Sequence, residues 1–322
     1  MQAIHVTDDS TLELRDLPDP PPGAGEVVID IAAAGVNRAD LLQVSGGHLP
    51  PVGESDVLGL ECSGTISAVG EHTEGWQVGD RVCALLAGGG YATKVAAPAG
   101  QLLPVPDSLD LVEAASLPES VATAWSNMVE LAHLAPSGTV LVHGGSGGVG
   151  SIAIQLAHAY GSRVVTTAGG PERTERCLTL GADAAIDHRS DDVADQILAA
   201  TDGRGADVIL DVLGAGGLDL NIRVLAERGR LMIIGVLDGG VGEIDLRRLL
   251  DRSGTITAAK LRTRSRASKA ALIADIRERV WPWVADGVVR PVVAERFALE
   301  DAGDAHAAMR AGGAFGKILL TT

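Results

Sequence analysis

The run His143-Gly144-Gly145-Ser146-Gly147-Gly148-Val149-Gly150 is where residue types and spacing most directly imply chemistry. It follows the apolar stretch Val140-Leu141-Val142 and precedes Ser151-Ile152-Ala153-Ile154-Gln155-Leu156-Ala157, so it reads as a turn from a buried strand into a helix. Gly145-x-Gly147-x-x-Gly150 has the spacing that lets a pyrophosphate rest on the first amides of a helix, with Gly145, Ser146, Gly147, Gly148 and Val149 forming the cradle. In a chain with 41 glycines the pattern alone would mean little; its place between a strand and a helix, followed by further strand–helix repeats, gives it weight.

The next turn bears on which dinucleotide the cradle would hold. A site for NAD places an acidic residue at the end of the second strand, where it binds the ribose 2′-hydroxyl. This chain has Thr166-Thr167-Ala168-Gly169-Gly170 there, with Arg173 one turn into the following helix and His188-Arg189 after the third strand. A missing acid and nearby cations favour NADPH, with Arg173 the first candidate for a 2′-phosphate. Arg173, Arg176 and Arg189 also fit solvated surface charges, since exposed arginine is common.

These residues need elements to position them. Residues 1–117 read as short strands between Gly/Pro turns, among them Val27-Val28-Ile29-Asp30-Ile31 and Gly64-Thr65-Ile66-Ser67-Ala68-Val69, and predict a β-rich, mostly antiparallel domain. Helical character over Val112–Ala132, interrupted at Pro118, leads into alternating elements. The strands are Thr139–His143, Arg163–Thr167, Asp183–Asp187, Val208–Val212 and Leu231–Ile234; the helices are Val149–Tyr160, Pro171–Leu180, Asp191–Ala200 and Leu220–Ala226. Such alternation with near-continuous apolar strands predicts a doubly wound parallel sheet over 118–261. Residues 262–322 add an Arg-rich segment, a helix over Lys269–Ala285 and a closing strand, Gly316-Lys317-Ile318-Leu319-Leu320.

Composition narrows the classes. The chain has 322 residues, 46% hydrophobic and 21% charged, enough to bury a real core and too apolar for disorder. A net charge of −16 argues against nucleic-acid or anionic-membrane partners, which select positive surface. No apolar run reaches ~20 residues and the first residues lack a signal-peptide pattern, so a cytoplasmic protein is expected. Cys62, Cys83 and Cys177 are scattered, which fits neither a disulfide framework nor a four-cysteine zinc site.

Across nearly its full length the chain resembles the zinc-free quinone oxidoreductase branch of the medium-chain dehydrogenase/reductase superfamily. Within that branch it is most similar to the zeta-crystallin-like and tumour-suppressor-inducible enzymes. The resemblance is carried by Gly35-Val36-Asn37-Arg38-Ala39-Asp40, Leu58-Gly59-Leu60-Glu61-Cys62-Ser63-Gly64, Gly79-Asp80-Arg81-Val82 and Leu117-Pro118-Glu119. Thr123-Ala124-Trp125, the glycine cradle, Leu180-Gly181-Ala182 and Gly316-Lys317-Ile318 continue it in order. It implies an α/β fold in which a Rossmann domain (118–261) is inserted into a GroES-like β-rich catalytic domain (1–117 and 262–322). It also implies a homodimer joined through the Rossmann edge strand, for which Gly254-Thr255-Ile256-Thr257-Ala258-Ala259 is the candidate.

Departures from the zinc alcohol dehydrogenases of the same superfamily imply no metal. Asn37 stands at the position of the first cysteine ligand, Leu60 at that of the histidine ligand, and no cysteine lies around Glu119–Trp125. The implied chemistry is zinc-independent hydride transfer from nicotinamide C4 to a quinone or similar electrophile, giving an NADPH:quinone oxidoreductase. Asn37 would contact the nicotinamide or its ribose, and Thr123 would line the same cleft. His48 stands where relatives carry a tyrosine; it could donate a proton, since imidazole titrates near neutrality, or simply cover the cofactor as a loop residue.

Further cofactor contacts are expected from Leu213 and from Gly235-Val236, which follow sheet strands, and from Leu261 in Leu261-Arg262-Thr263-Arg264, which is either a cofactor contact or a solvated charge run. Phe315 and Lys317 sit where the resemblance has the chain close over the nicotinamide, with a plain terminal strand as the other reading. Asp40 and Glu61 read as residues that orient loops. Two rivals to quinone reduction stand: an NADPH-dependent reductase of 2-enals and other α,β-unsaturated carbonyls, and a non-catalytic, crystallin-like NADPH-binding protein.

Overall fold

The computed structural model describes all 322 residues, Met1–Thr322. In chain order its strands are β1 (Gln2–Val6), β2 (Leu12–Asp16), β3 (Glu26–Gly35), β4 (Glu61–Val69), β5 (Arg81–Leu85), β6 (Lys94–Pro98), β7 (Leu102–Pro104), β8 (Thr139–His143), β9 (Arg163–Ala168), β10 (Ala184–Asp187), β11 (Ala206–Asp211), β12 (Leu225–Ile233), β13 (Thr255–Ala258), β14 (Val293–Ala298) and β15 (Lys317–Thr321). The chain divides into two compact units, one of Met1–Ala122, Leu261–Gly287 and Pro291–Thr322, the other of Thr123–Lys260 and Val288–Arg290.

The first unit is the GroES-like one. Its main sheet runs β14-β15-β3-β4-β5-β7, with β6 also paired to β3, and a separate hairpin joins β1 to β2. All of these pairs are antiparallel except β14–β15, which lie parallel. Ile29 opposite Ile66 and Leu320 opposite Ala34 set the register. The alternating apolar residues Val27, Ile29, Ile66, Val82, Leu102, Ile318 and Leu320 turn inward together with Leu58 and Tyr91. Returning the last segment to the sheet through β15 puts Lys317 on a strand beside β3, and so beside the loop that begins at Asn37.

The second unit is a six-stranded, wholly parallel sheet in the order β10-β9-β8-β11-β12-β13. Every residue of β8 is buried, which explains its unbroken apolar run, since helices cover both faces of such a sheet. Leu141, Val165, Ile186, Ile197, Ile209 and Leu231 form its core. The strand order reverses between β8 and β11, and ligands of open α/β sheets bind outside the carboxyl ends of the strands at such a reversal.

Three elements differ from the periodicity. The helix expected over 220–226 spans Leu218–Val224, and Leu225 and Ala226 already belong to β12, because both are buried in a strand that pairs with β11. The helix expected over 269–285 is two helices, Arg266–Arg279 and Trp281–Ala285, since Pro282 has no amide to continue the first and fits the opening turn of the second. The segment expected to be one interrupted helix over 112–132 is three pieces, Leu111–Ala114, Pro118–Trp125 and a π-helical turn over Ser126–Leu131.

Candidate functional site

In the parallel unit the glycine run joins β8 directly to the Gly148–Tyr160 helix. Gly147 caps that helix with no side chain on its first amides, so the positive end of the helix dipole is left open. Two of the glycines are required by closeness. A Cβ on Gly150 would lie 2.1 Å from Gly144 O, and one on Gly145 2.1 Å from Thr166 Oγ1. The turn is further fixed by Gly147 N–H donating to Gly144 O and Gly145 N–H to Thr167 O, both at 2.9 Å.

Below the turn His143 sits in a buried chain of hydrogen bonds. It pairs through Nδ1 with Thr167 Oγ1 at 2.9 Å and through Nε2 with Asn221 Oδ1 at 2.7 Å, and Asn221 in turn donates to Asp211 Oδ1 at 3.0 Å. Asn221 spends its Nδ2 on Asp211, so its Oδ1 accepts, the Nε2 of His143 carries the proton and Nδ1 accepts from Thr167. Burial holds the imidazole below its usual pKa and therefore neutral. His143 thus ties together the ends of β8, β9 and β11. The carboxylate of Asp211 also accepts from the amides of Leu213 and Gly214, which shapes the turn after β11. That turn meets the one after β12: Leu237 N–H donates to Val212 O and Asp238 N–H to Leu213 O, so Leu213, Gly235 and Val236 come together.

At the carboxyl end of β9, the expected basic corner is assembled. A Cβ on Gly169 would lie 3.0 Å from His188 Cε1, 3.1 Å from Arg189 Nη2 and 3.5 Å from Arg173 Nη1. Three cationic or titratable side chains therefore converge over Gly169-Gly170; β9 itself ends without an acidic residue, and the Asp187 carboxylate at the end of the neighbouring β10 is taken up by the amides of Gly170 and Arg189. Thr123, the first residue of this unit, offers its carbonyl to Asn127 Nδ2 at 2.8 Å in the π-helical turn, an irregularity of the kind that recurs at functional sites.

In the GroES-like unit Asn37 caps the Arg38–Val44 helix. Its amide N–H donates to Asp40 Oδ2 at 2.7 Å, and its Nδ2 donates to Glu61 Oε1 at 3.0 Å and Gly35 O at 3.2 Å. Lys317, brought alongside on β15, donates from Nζ to Asn37 Oδ1 at 2.5 Å and pairs with Glu61 Oε1 at 2.5 Å. The other oxygen of Glu61 accepts from the backbone N–H of Glu119 at the start of the Pro118–Trp125 helix, at 2.9 Å. Glu61 is completely buried and Lys317 is 4% exposed, so this pair holds its charges away from water.

Around that triad lie further carboxyls. Burial pushes the Asp40 carboxyl up to about 6, against the pull of the Asn37 amide and the Lys317 charge. Burial, with the Glu61 charge next, pushes Glu119 up to about 8, while Lys317 and Lys269 draw it down. Asp40 also accepts from Tyr91 Oη at 3.1 Å and from Gly59 N–H at 3.2 Å; Tyr91 Oη meets His306 Nε2 at 3.1 Å. His306, held down to about 4 by burial and the Arg310 charge, is neutral.

His48 is half-buried in the loop after the Asn37 helix, in the left-handed region at φ 45°. Its carbonyl accepts from Arg262 Nη1 at 2.5 Å. Arg262 is only 2% exposed, so it is not the solvated charge that one reading of its segment allowed. Leu261 and Phe315 are buried as well. Sequence reading missed the Arg262 contact, the Tyr91–His306 pairing and the raised Glu119. Each depends on residues far apart in the chain; only the isolated Arg262 in Leu261-Arg262-Thr263-Arg264 gave a signal.

Known proteins with these features fix the family. Residues 23–107 match the alcohol dehydrogenase GroES-like domain, and residues 148–277 match the zinc-binding dehydrogenase family. The quinone oxidoreductase of Sus scrofa is 32% identical over 307 residues, covering 95% of this chain and 92% of that protein. The chain belongs to the quinone oxidoreductase branch of the medium-chain dehydrogenase/reductase superfamily. A mycobacterial protein solved in complex with NADPH superposes with a TM-score of 0.88 at 30% identity, covering all of both chains. A phenolphthiocerol/phthiocerol polyketide synthase of Mycobacterium tuberculosis is 33% identical over 300 residues, 93% of this chain. The chain spans 14% of the length of that synthase. No helix is long and apolar enough to cross a membrane.

Proposed function

We propose that this protein is an NADPH-dependent quinone oxidoreductase. The observation that carries the cofactor choice is the convergence of Arg173, His188 and Arg189 over Gly169 where an NAD site would need an acid. A 2′-phosphate is dianionic and takes several charge-assisted hydrogen bonds, which guanidinium groups supply in pairs. The NADPH complex of the similar mycobacterial protein supports the same choice. The open first turn after Gly147 suits the pyrophosphate, with Gly145, Ser146, Gly147, Gly148 and Val149 around it.

When bound, the reduced nicotinamide supplies hydride to an electron-poor acceptor. The chain's own residues prepare that end of the site. Lys317 and Glu61 lock the side chain of Asn37, so its amide is presented in one orientation. Thr123, Leu213, Gly235, Val236, Leu261 and Phe315 complete the proposed cofactor contacts. His48 supplies a hydrogen-bonding group in place of the aromatic ring expected by resemblance.

The reading needs no zinc. Leu60 offers no donor atom, the Asn37 side chain is spent on Glu61, Gly35 and Lys317, and an ammonium already neutralises Glu61. That set does not fit a zinc site, which calls for thiolate and imidazole ligands. A quinone also needs less polarisation than a plain ketone, because it is already electron-poor.

A second reading, reduction of an α,β-unsaturated carbonyl, is favoured by the match to the polyketide synthase. The deciding experiment is steady-state oxidation of NADPH and NADH against naphthoquinones and 2-enals. Faster turnover of quinones with NADPH is expected. Faster enal reduction selects the second reading, and a preference for NADH removes the cofactor assignment.

The partner we infer is a second copy of the chain. β13 ends the parallel sheet with one edge unpaired, and Leu246 and Leu250 on the helix before it stand exposed. An identical edge across a twofold axis satisfies those backbone groups. Sedimentation of Ala258→Pro, which removes a donor on the open edge because the neighbouring Ala259 amide is the one turned to Ile233 O, is expected to show monomer where the parent chain is a dimer.

A further inference from the structure

The Arg-rich segment after Leu261 is left unexplained by the cofactor and by the fold, and two of its arginines reach one loop. Arg262 donates from Nη1 to His48 O at 2.5 Å and from Nε to Ala87 O at 2.8 Å. Four residues on, Arg266 grips Glu54 with two parallel bonds, Nε to Oε1 at 3.0 Å and Nη2 to Oε2 at 3.2 Å, and Glu26 with a third at 2.7 Å. His48 and Glu54 bracket the stretch His48-Leu49-Pro50-Pro51-Val52-Gly53-Glu54, so the two arginines hold it at both ends.

The stretch needs holding. Gly46 and Gly53 flank its middle at φ 81° and 87°, each with open space around it, and His48 is a non-glycine residue in the left-handed region. That conformation is strained for a residue with a side chain and persists only where surroundings impose it. Leu49 and Val52 stand exposed on it, 64% and fully, with two prolines between them. An apolar tip on Gly hinges is adaptable unless something outside fixes it.

Arg262 is an expensive fastener for stability alone. It is buried, it meets two carbonyls and no carboxylate at ion-pair distance, and its Nη2 has no partner. A buried charge with an unmet donor carries a desolvation cost that a neutral residue would avoid. The Asp40 charge acts on it only from beyond contact.

We propose that the segment Arg262–Arg266 is a clamp for the acceptor loop, with Arg262 as a positioning residue that fixes His48 and Leu49 against the substrate. The inference rests on the reading of His48 at the acceptor end. Arg262 acts through the His48 backbone, so a guanidinium that can reach two carbonyls at once is required. The loop it holds presents one imidazole and an apolar tip, which suits a flat, apolar carbonyl acceptor over a small polar one.

The test uses the full chain carrying Arg262→Gln, Arg262→Lys or Arg266→Gln, each alone and with His48→Ala. Misplacing a loop by about an ångström costs up to about 100-fold in rate. We therefore expect R262Q to lower kcat/KM for menadione by about 10- to 100-fold, with the Kd for NADPH, read by nicotinamide fluorescence, unchanged. R262K recovers part of the loss, because one ammonium reaches one carbonyl. R266Q, at an exposed site that leaves folding intact, gives a smaller loss of the same kind. Once His48 is alanine, each arginine change costs much less than it does alone, since coupled positions do not add. Thermolysin cleavage before Val52, which is fully exposed and followed by Gly53, quickens in R262Q and R266Q without any substrate. Three results overturn the proposal: additive losses with His48→Ala, a raised NADPH Kd with kcat/KM for menadione kept, or cleavage at the parent rate. If the parent chain passes hydride from NADPH to neither quinones nor enals, both readings fail, and the cleavage rates alone decide the clamp.

Discussion

The ammonium of Lys317 donates to the side-chain carbonyl of Asn37 at 2.5 Å, across 280 residues of sequence. It pairs at the same distance with Glu61, whose carboxylate also takes the Asn37 amide. Three residues from β15, the loop after β3 and β4 thereby form one closed polar unit. Removing one charge of such a buried pair leaves the other uncompensated, at a cost of about 3–5 kcal/mol.

Lys317→Met is accordingly expected to destabilise the protein by about 3–5 kcal/mol. Adding Glu61→Leu should return much of that loss, because the stranded carboxylate is gone. Urea unfolding of the single and double variants measures both. An equal loss in the double variant would show that the pair does not carry the energy.

Gly150→Ala tests the cradle. Its Cβ would have to lie 2.1 Å from Gly144 O, which is backbone and cannot swing away, so the turn must open. We expect NADPH binding to weaken by about 100-fold or more, since the pyrophosphate loses close approach to the amides. Fluorescence titration of NADPH measures this. Affinity within threefold of the parent would place the phosphates elsewhere.

The cradle and the basic corner were legible because their signals are local. Gly145, Gly147 and Gly150 shape one strand-to-helix turn within six residues, and Arg173 lies in the first turn of the helix that follows the next strand. The two-unit α/β plan followed from strand–helix alternation, a signal of the same short range. Contacts between distant segments left no such trace. The Arg262–His48 bond spans 214 residues and Tyr91–His306 spans 215, and no periodicity encodes which backbone carbonyl a buried guanidinium will find. Asn37 was legible as a position, by resemblance, but its bonds to Lys317 and Glu61 were not, because they depend on how β15 returns beside β3. Helix ends also escaped: Leu225 and Ala226 are as apolar as a helix interior requires, and only their pairing in β12 makes them strand.

Arg173→Ser combined with Arg189→Ser tests the phosphate corner. Each lost charge-assisted bond is worth about 1.5–3 kcal/mol, so NADPH affinity should fall at least about tenfold. NADH affinity should stay within twofold, because its ribose carries no phosphate for these side chains. Parallel Kd measurements at one salt concentration give the ratio. Equal weakening of both dinucleotides would make the two arginines general supports of the fold.

Glu119 gives the protein a pH dependence of stability with a definite sign. In the folded chain its carboxyl is raised to about 8 from an ordinary 4.5, chiefly by burial and then by the Glu61 charge. The folded state therefore binds this proton more tightly than the unfolded chain does. Stability from it is full below pH 4.5 and is lost as pH rises through about 8, since stability falls wherever the folded state holds the extra proton. Glu119→Gln replaces the acid with a neutral group of the same shape. We expect the variant to match the parent near pH 4.5 and to become progressively the more stable of the two as pH rises to about 8, where the parent is forced to bury a second carboxylate beside Glu61. Thermal unfolding of both proteins across this range reads the difference directly. Parallel curves up to pH 9 would mean that Glu119 is already ionised in the folded protein at neutral pH, with Lys317 and Lys269 as its compensating charges.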